Sequence, residues 1–169
     1  MRICSFCPRG YDGQIVDVEC NIQRGLPAFT IVGLPDSAVR EARDRVRSAI
    51  VSVGADFPAR KILINLSPGS VRKLGSGHDL AIAVSILCRS KQLILPHKHD
   101  ESWLFLGELG LSGNVRGASF DYAALLSPQA VSFSRIVISS DLKALTEMLP
   151  LPEIPVYTCK NLSDLRSMS

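Results

Sequence analysis

The alternation of apolar and polar residues predicts short strands in the first part of the chain. The segment "QIVDVECNI" (14–22) has the period of two that is typical of a strand with one buried face. Val16, Val18 and Cys20 occupy one side of it, and Ile15, Asp17 and Glu19 occupy the other. A strand is also predicted over 2–7, and another over 28–33, where "AFTIVG" is rich in β-forming residues.

Two later segments carry helical patterns. Apolar residues recur at spacings of three and four over 33–54, which predicts a helix with one buried stripe. The stripe consists of Val39, Ala42, Val46, Ala49, Ile50 and Val53. Asp36 or Ser37 can cap this helix, and Gly54 is a typical C-terminal stop. The segment 78–92 is apolar nearly all round, which predicts a centrally buried helix.

The order of the remaining elements predicts an α+β fold in which helices pack on a mixed sheet. Strands are predicted over 61–67, 103–109, 135–139 and 155–159, a hairpin-like turn over 111–115, and helices near 119–127, 140–148 and 161–168. The alternation of strands and helices in the last third predicts at least one parallel crossover. The length of 169 residues favours a single domain over 1–169.

Composition excludes several classes of protein. With 46% hydrophobic and 21% charged residues, the chain is typical of soluble globular proteins. It has no apolar run long enough for a membrane span, and its first residues lack the apolar stretch of a secretory signal. The net charge of +3 does not by itself indicate nucleic-acid binding. Five scattered cysteines favour a reducing compartment, so we expect a cytoplasmic protein.

Cys4 and Cys7 form the chain's one C-x-x-C motif. A zinc site would need Cys20 or a distant histidine to complete it, and a redox pair would need a thioredoxin-like context that is missing. We favour the interpretation that both cysteines lie on or beside the first strand, and we predict no metal site.

The glycine-rich segment "RKLGSGHDL" (72–80) allows three interpretations: a phosphate-binding loop, a nucleophile on a turn, or the start of a helix. A phosphate-binding loop needs G-x-x-x-x-G-K-[ST], with a lysine after the last glycine. Here Lys73 precedes the glycines, and the motif occurs nowhere else in the sequence. We therefore expect no ATP or magnesium bound by this chain.

The nucleophile interpretation rests on Ser76, which has His78 and Asp79 beside it. Neighbours at these spacings do not converge on one proton path, whereas a pairing of Ser76 with the distant His97 stays open. We favour the third interpretation, in which Ser76 or Asp79 caps the helix that follows.

A second stripe on the helix over 33–54 is basic. It consists of Arg40, Arg43 and Arg47. Such a stripe is either a solvated face or a contact to nucleic-acid phosphates or an acidic partner. Further cations that could extend it are Arg60, Lys61, Arg72 and Lys73. Glu41 and Arg45 are spaced as an i,i+4 ion pair on the same helix.

Three long segments of the sequence resemble the opening domain of the magnesium-chelatase-like AAA+ proteins, the ComM/YifB family. They are "GLPAFTIVGLPDSAVREARDRVRSAI" (25–50), "KILINLSPGSVRKLGSGHDLAIAVSIL" (61–87) and "FLGELGLSGNVRG" (105–117). The resemblance covers essentially the whole chain. It implies a domain that precedes an ATPase module, and ATP and magnesium are expected only for that module, which this sequence does not contain.

The resemblance also implies a fold similar to the proteolytic domain of Lon. Lon-type peptidases place a serine in a D-G-P-S-A-G turn and a lysine after a G-E-x-x-L-x-G-x-V segment. The place of that serine falls on Gly77, with Ser76 where the family has proline, and the place of the lysine falls near Ala124. No lysine occurs between Lys98 and Lys143. Without nucleophile and base, no catalytic residue is expected.

By resemblance, the chain is expected to be a non-catalytic accessory domain of a hexameric, ATP-driven DNA motor that acts in branch migration, recombination and natural transformation. Its expected partners are the ATPase module, DNA and further copies of the chain. The segment 116–126 lacks the arginine- and proline-containing pattern expected there, so a family-wide contact at that place is not predicted. The alternative is a divergent serine hydrolase of Lon-like fold that uses Ser76 with His78 or His97.

Overall fold

The computed structural model describes residues 1–9, 12–98, 100–118, 121–148 and 153–168. The strands are β1 Arg2–Arg9, β2 Asp12–Gln23, β3 Ala28–Val32, β4 Lys61–Ser67, β5 Ser102–Phe105, β6 Glu108–Leu109, β7 Val115–Arg116, β8 Arg135–Ser139 and β9 Val156–Cys159. The helices are α1 Ser37–Ser52, α2 Asp79–Arg89, α3 Asp121–Leu126 and α4 Lys143–Met148. Short 3-10 helices cover Pro128–Ser132, Ser140–Leu142 and Leu162–Met168.

Seven strands form one mixed sheet in the order β3-β4-β2-β1-β5-β8-β9. The central pairs β1–β2 and β2–β4 are antiparallel, and the pairs toward both edges are parallel. The predicted parallel crossover is confirmed, since β8 and β9 are parallel neighbours joined through a helical segment. A separate antiparallel hairpin of β6 and β7 matches the predicted hairpin-like turn.

The two faces of the sheet bury separate apolar clusters. One cluster packs α1 and α2 on the sheet, and the other packs α3 and the segment 128–132 on the opposite face. In β2, Val16 and Val18 are buried, as the alternation predicts. Helix α2 is buried from Asp79 to Leu87, so its all-round apolar character is explained by its central place. The predicted α+β class with a mixed sheet is confirmed.

Local backbone geometry moves several predicted boundaries. The strand predicted over 103–109 is two strands, because Gly107 has a φ of 148° and turns the chain out of β5 into the hairpin. The predicted terminal helix is of the 3-10 type, and the helix predicted over 140–148 begins with a 3-10 turn. Residues 119 and 120, at the start of a predicted helix, lie outside the described part. Among the described residues, no helix has the length and apolar character needed to cross a membrane.

Candidate functional site

The glycine turn between β4 and α2 lies against the start of α1. Lys73 forms an isolated bridge with Pro35, and its N–H donates to the carbonyl of Leu34 at 3.0 Å. The Asp36 carboxylate joins both segments, since it accepts from the N–H of Val39 at 2.8 Å and from the N–H of Gly75 at 3.1 Å. Asp36 is therefore the N-cap of α1, as predicted, and it also fixes the glycine turn.

The prediction that Lys73 extends an exposed basic surface is wrong. Its side chain is buried, and its ammonium donates to the carbonyl of Pro68. Burial lowers the pKa of Lys73, because an ammonium group is disfavoured away from water. This turn does not fit ATP phosphates, since its one lysine points into the protein.

His78 and Ser76 do not form the pair that a hydrolase would need. The Nδ1 of His78 lies 2.7 Å from the Oγ of Ser5, on β1, whereas the hydroxyl of Ser76 donates to the Glu108 carboxylate. Burial lowers the pKa of His78 to about 4, so the ring is neutral at neutral pH. The exposed His97 has its Nδ1 2.8 Å from the carbonyl oxygen of Leu95.

The start of α2 differs from the predicted cap. Its N-cap residue is His78, with no side-chain capping bond, so the prediction that Ser76 or Asp79 caps this helix is wrong. The Asp79 carboxylate is instead turned toward α1, where Arg45 donates from Nε at 2.6 Å and from Nη2 at 3.1 Å. Asp79 also accepts from the N–H of Leu109 at 3.2 Å. This buried ion pair ties α1, α2 and the β6–β7 hairpin together.

The position that corresponds to the Lon serine lies beside the start of α3, the helix that also carries the position of the Lon lysine. A Cβ atom added at Gly77 would lie 3.3 Å from the Cβ of Ala118 and 3.5 Å from Oδ1 of Asp121, the first residue of α3. Ala124 is buried one turn further along α3. A cavity of about 110 Å³ opens beside Gly77. It is lined by Ser76 and Asp121 and, among the described residues, by no lysine or histidine.

Among the described residues that line this cavity, Asp121 is the one with a titratable side chain other than a hydroxyl, and no sequence motif marks it. Its Oδ2 accepts from the N–H of Ala118 at 2.8 Å. Burial raises the pKa of Asp121 to about 7, because the charged form is poorly solvated there. Asp121 is identified only from the folded structure, in which its side chain faces Gly77, the position that corresponds to the Lon serine.

The predicted arginine stripe lies on the exposed side of α1. Arg40, Arg43 and Arg47 are all exposed, and the described residues provide no ion pair for them. Arg43 donates to the carbonyl of Arg40 at 3.1 Å, and the guanidinium of Arg47 lies over the ring of Phe57, 5.0 Å from its centroid. Arg72 is also exposed, on the turn before the glycines.

Cys4 and Cys7 lie on β1, which confirms the favoured interpretation. Cys4 belongs to the apolar cluster on one face of the sheet, and Cys7 belongs to the cluster on the other face. Burial raises the pKa of Cys4 to about 12, so this thiol is not reactive. No group of three or more metal-ligating side chains is found in the part of the chain that the structure describes.

Comparison with known proteins gives one family. Residues 18–141 match the family described as "Subunit ChlI of Mg-chelatase". An uncharacterized protein of Mycobacterium tuberculosis is 37% identical over 166 residues, which are 98% of this chain and 32% of that protein. YifB of Escherichia coli is 49% identical over 108 residues, which are 64% of this chain and 21% of that protein.

The "Competence protein ComM" of Haemophilus influenzae is 40% identical over 120 residues, which are 71% of this chain and 23% of that protein. The chain thus spans about a third or less of the length of these curated relatives. Since the family match covers most of the sheet and both long helices, the chain belongs to the ComM/YifB family of magnesium-chelatase-like AAA+ proteins.

Proposed function

We propose that this chain acts as a non-catalytic accessory domain that helps an ATPase module of the ComM/YifB family to act on DNA. The observation that carries the proposal is the pair of positions Gly77 and Ala124, which bear a hydrogen atom and a methyl group where a Lon-type peptidase needs a hydroxyl and an amine. The cavity beside Gly77 is lined by Ser76 and, among the described residues, by no lysine or histidine, so it offers no nucleophile–base pair of the Lon type.

Under this proposal, the motor function belongs to an ATPase module and not to the 169 residues of this chain. The curated relatives are about three times as long, which leaves room for an ATPase module, and that module would bind ATP and magnesium. Ring formation from several copies would depend largely on the same module. The proposed action on DNA would take place in the cytoplasm, where DNA is available and the five cysteines of this chain stay reduced.

The exposed arginines of α1 are the first candidate contact to DNA. Positions 40, 43 and 47 are roughly 4.5 and 6 Å apart along the helix axis at 1.5 Å per residue. These steps are comparable to one or two nucleotides of a strand, which rises by about 3.4 Å per phosphate. Because the described part of the chain offers no carboxylate partner to these side chains, their charge is available to phosphates.

Replacing Arg40, Arg43 and Arg47 together by alanine is expected to weaken DNA binding in a salt-dependent way. The slope of log affinity against log salt should fall by roughly one unit for each phosphate contact removed. Fluorescence anisotropy of a labelled duplex at several salt concentrations measures both quantities. The matched control replaces the exposed Arg116, Lys143 and Lys160, and an equal loss in both triple variants would contradict a contact through α1.

The hydrolase alternative is supported by the position of Ser76 at the cavity, where the buried Asp121 also lies. We expect no covalent labelling of the chain by a fluorophosphonate probe, because the Ser76 hydroxyl donates a hydrogen bond to the Glu108 carboxylate and neither of the described histidines bonds to it. Intact-mass measurement reads out the adduct. Labelling of the parent chain that disappears in Ser76→Ala would overturn the non-catalytic proposal.

A further inference from the structure

An open groove lies at the end of the sheet where both α1 and α2 terminate. Its volume is about 460 Å³, and it runs between the loop that precedes β4 and the C-terminal end of α2. The exposed cations Arg60, Arg89 and Lys91 line it, together with one carboxylate, that of Asp56. We call these three cations and the surface between them the basic groove. Within the described part of the chain, none of the three forms an ion pair.

The two walls of the basic groove are held together by one side-chain amide. The Oε1 of Gln92 accepts from the N–H of Asp56 at 2.7 Å, and the Nε2 of Gln92 donates to the carbonyl of Asp56 at 2.8 Å. These reciprocal bonds join the loop before β4 to the residues after α2. The two backbone segments that carry the cations are therefore fixed relative to each other before any ligand arrives, which reduces the entropy lost on binding.

Lys91 occupies a backbone conformation that normally favours glycine. Its φ is 62°, and it directly follows Ser90, the C-cap of α2. The N–H of Lys91 donates to Cys88 at 3.1 Å, and the N–H of Gln92 donates to Leu87 at 2.9 Å, so the helix closes with a left-handed turn. A lysine at this position is less stable in the left-handed conformation than a glycine would be, but it adds a positive charge at the rim of the groove. Backbone outliers of this kind are found at functional sites.

A purely structural explanation, without a ligand, is that these cations only offset the partial negative charge at the C-terminal end of α2. A helix C-terminus carries roughly half an elementary charge. Three cations exceed that half charge and the carboxylate of Asp56 taken together, so a positive surplus remains. A further positive charge lies between the groove and α1, because the guanidinium of Arg47 lies over the ring of Phe57, in the same loop that carries Asp56 and Arg60.

We propose that the basic groove formed by Arg60, Arg89 and Lys91 binds the phosphodiester backbone of DNA. This inference rests on the proposed function, and it adds a second contact surface beyond the exposed arginines of α1. A free polyphosphate has the same chemistry, but the further positive charge between the groove and α1 favours a ligand with successive phosphates along an extended strand.

The test compares the 169-residue chain with a variant carrying Arg60→Ala, Arg89→Ala and Lys91→Ala. At about 0.1 M salt the variant should bind a labelled duplex about tenfold more weakly or worse, and its salt slope should fall by about two to three units. The control Arg116→Ala, Lys143→Ala and Lys160→Ala removes the same charge from other surfaces, and its slope should stay within about half a unit of the parent. Circular dichroism melting verifies that both variants fold.

Substitutions of Lys91 distinguish an effect on DNA affinity from an effect on the stability of the fold. Lys91→Gly removes the charge but suits the left-handed conformation, so we expect a Tm raised by about 2 °C together with weaker DNA binding. Lys91→Ala, which removes the charge and keeps the unfavourable conformation, should weaken binding equally without the gain in Tm. A Lys91→Gly chain that binds DNA as tightly as the parent would contradict a role for this charge.

The outcomes separate this inference from the proposed function. If the groove variant behaves like its control while the α1 variant loses affinity, the basic groove is not a DNA site and the proposed function stands. If the parent chain binds no DNA at about 50 mM salt, both fail. If inorganic triphosphate at matched ionic strength binds in the groove and DNA does not, the groove is a site for free polyphosphate and the inference is overturned.

Discussion

Replacing Arg45 by alanine should lower the free energy of unfolding by about 3–5 kcal/mol, because it leaves a buried carboxylate without its counter-ion. The Asp79 side chain has no exposed surface, and Arg45 is 19% exposed, so neither charge is well solvated in the fold. After the substitution, Asp79 would keep the N–H of Leu109 as its one remaining hydrogen-bond donor among the contacts described above. Urea denaturation followed by circular dichroism measures the loss.

Glu41 provides the matched control for this prediction. It lies 3.8 Å from the same guanidinium but is 71% exposed, so Glu41→Gln should change the unfolding free energy by no more than about 0.5 kcal/mol. Equal losses of unfolding free energy in Arg45→Ala and Glu41→Gln would mean that the buried Arg45–Asp79 pair stabilises the fold no more than the exposed Arg45–Glu41 pair does.

The pH dependence of the Arg45→Ala deficit gives a second readout. Burial raises the pKa of Asp79 to about 6 even beside Arg45, against an ordinary value of 3.8. The native state therefore binds this proton more tightly than the unfolded state, and the resulting stability is full below about pH 4 and lost as pH rises through 6. Without Arg45 the native pKa rises further, so the deficit should be largest near pH 8 and smallest near pH 4. A deficit that is constant over this range would contradict the assignment.

The sequence predicts most of this fold because apolar residues recur along its strands and helices at regular spacings. Alternation in β2 and the three-and-four spacing in α1 each report which side of an element is buried, and both predictions are confirmed. Boundaries were missed where the backbone leaves a regular conformation. Gly107 divides one predicted strand into two, and this break depends on a φ of 148° that no apolar pattern encodes.

The candidate site was less predictable, because its contacts join distant segments. The helical spacing rule finds Glu41 as a partner of Arg45, but the stronger partner, Asp79, lies 34 residues away and enters only through the packing of α2 on α1. Arg72 and Lys73 look equivalent in the sequence. In an extended segment, however, neighbouring side chains point to opposite sides, so one is exposed and the other is buried.

The basic groove is likewise a feature that sequence patterns do not reveal. Its cations come from the loop before β4 and from the end of α2, and they belong to no shared period. A stripe of arginines on one helix is visible to any pattern search, whereas a groove built from two segments becomes visible only after the chain is folded. From the sequence alone, Arg60 is therefore only a cation that could extend the arginine stripe.

Gly33→Ala is expected to be the most disruptive single-methyl change among the residues described. Gly33 joins β3 to the cap of α1 with a φ of 104°, and a Cβ atom there would lie 2.0 Å from the carbonyl oxygen of Leu66. Leu66 cannot retreat easily, since β4 is held in the sheet between β2 and β3. We expect the free energy of unfolding to fall by about 3 kcal/mol or more.

Gly54→Ala separates the steric clash at Gly33 from the cost of a positive φ. Gly54 has a φ of 74°, but a Cβ atom added there meets nothing within 4 Å, so its substitution should cost only about 1 kcal/mol. Urea unfolding of the two variants under identical conditions gives the difference, which isolates the contact with Leu66. Because Gly33 directs the chain into α1, loss of this turn would also displace the exposed arginines, and Gly33→Ala should weaken DNA binding even where it remains folded. Equal destabilisation by the two substitutions would show that the close approach of Gly33 to β4 is not what fixes the start of α1.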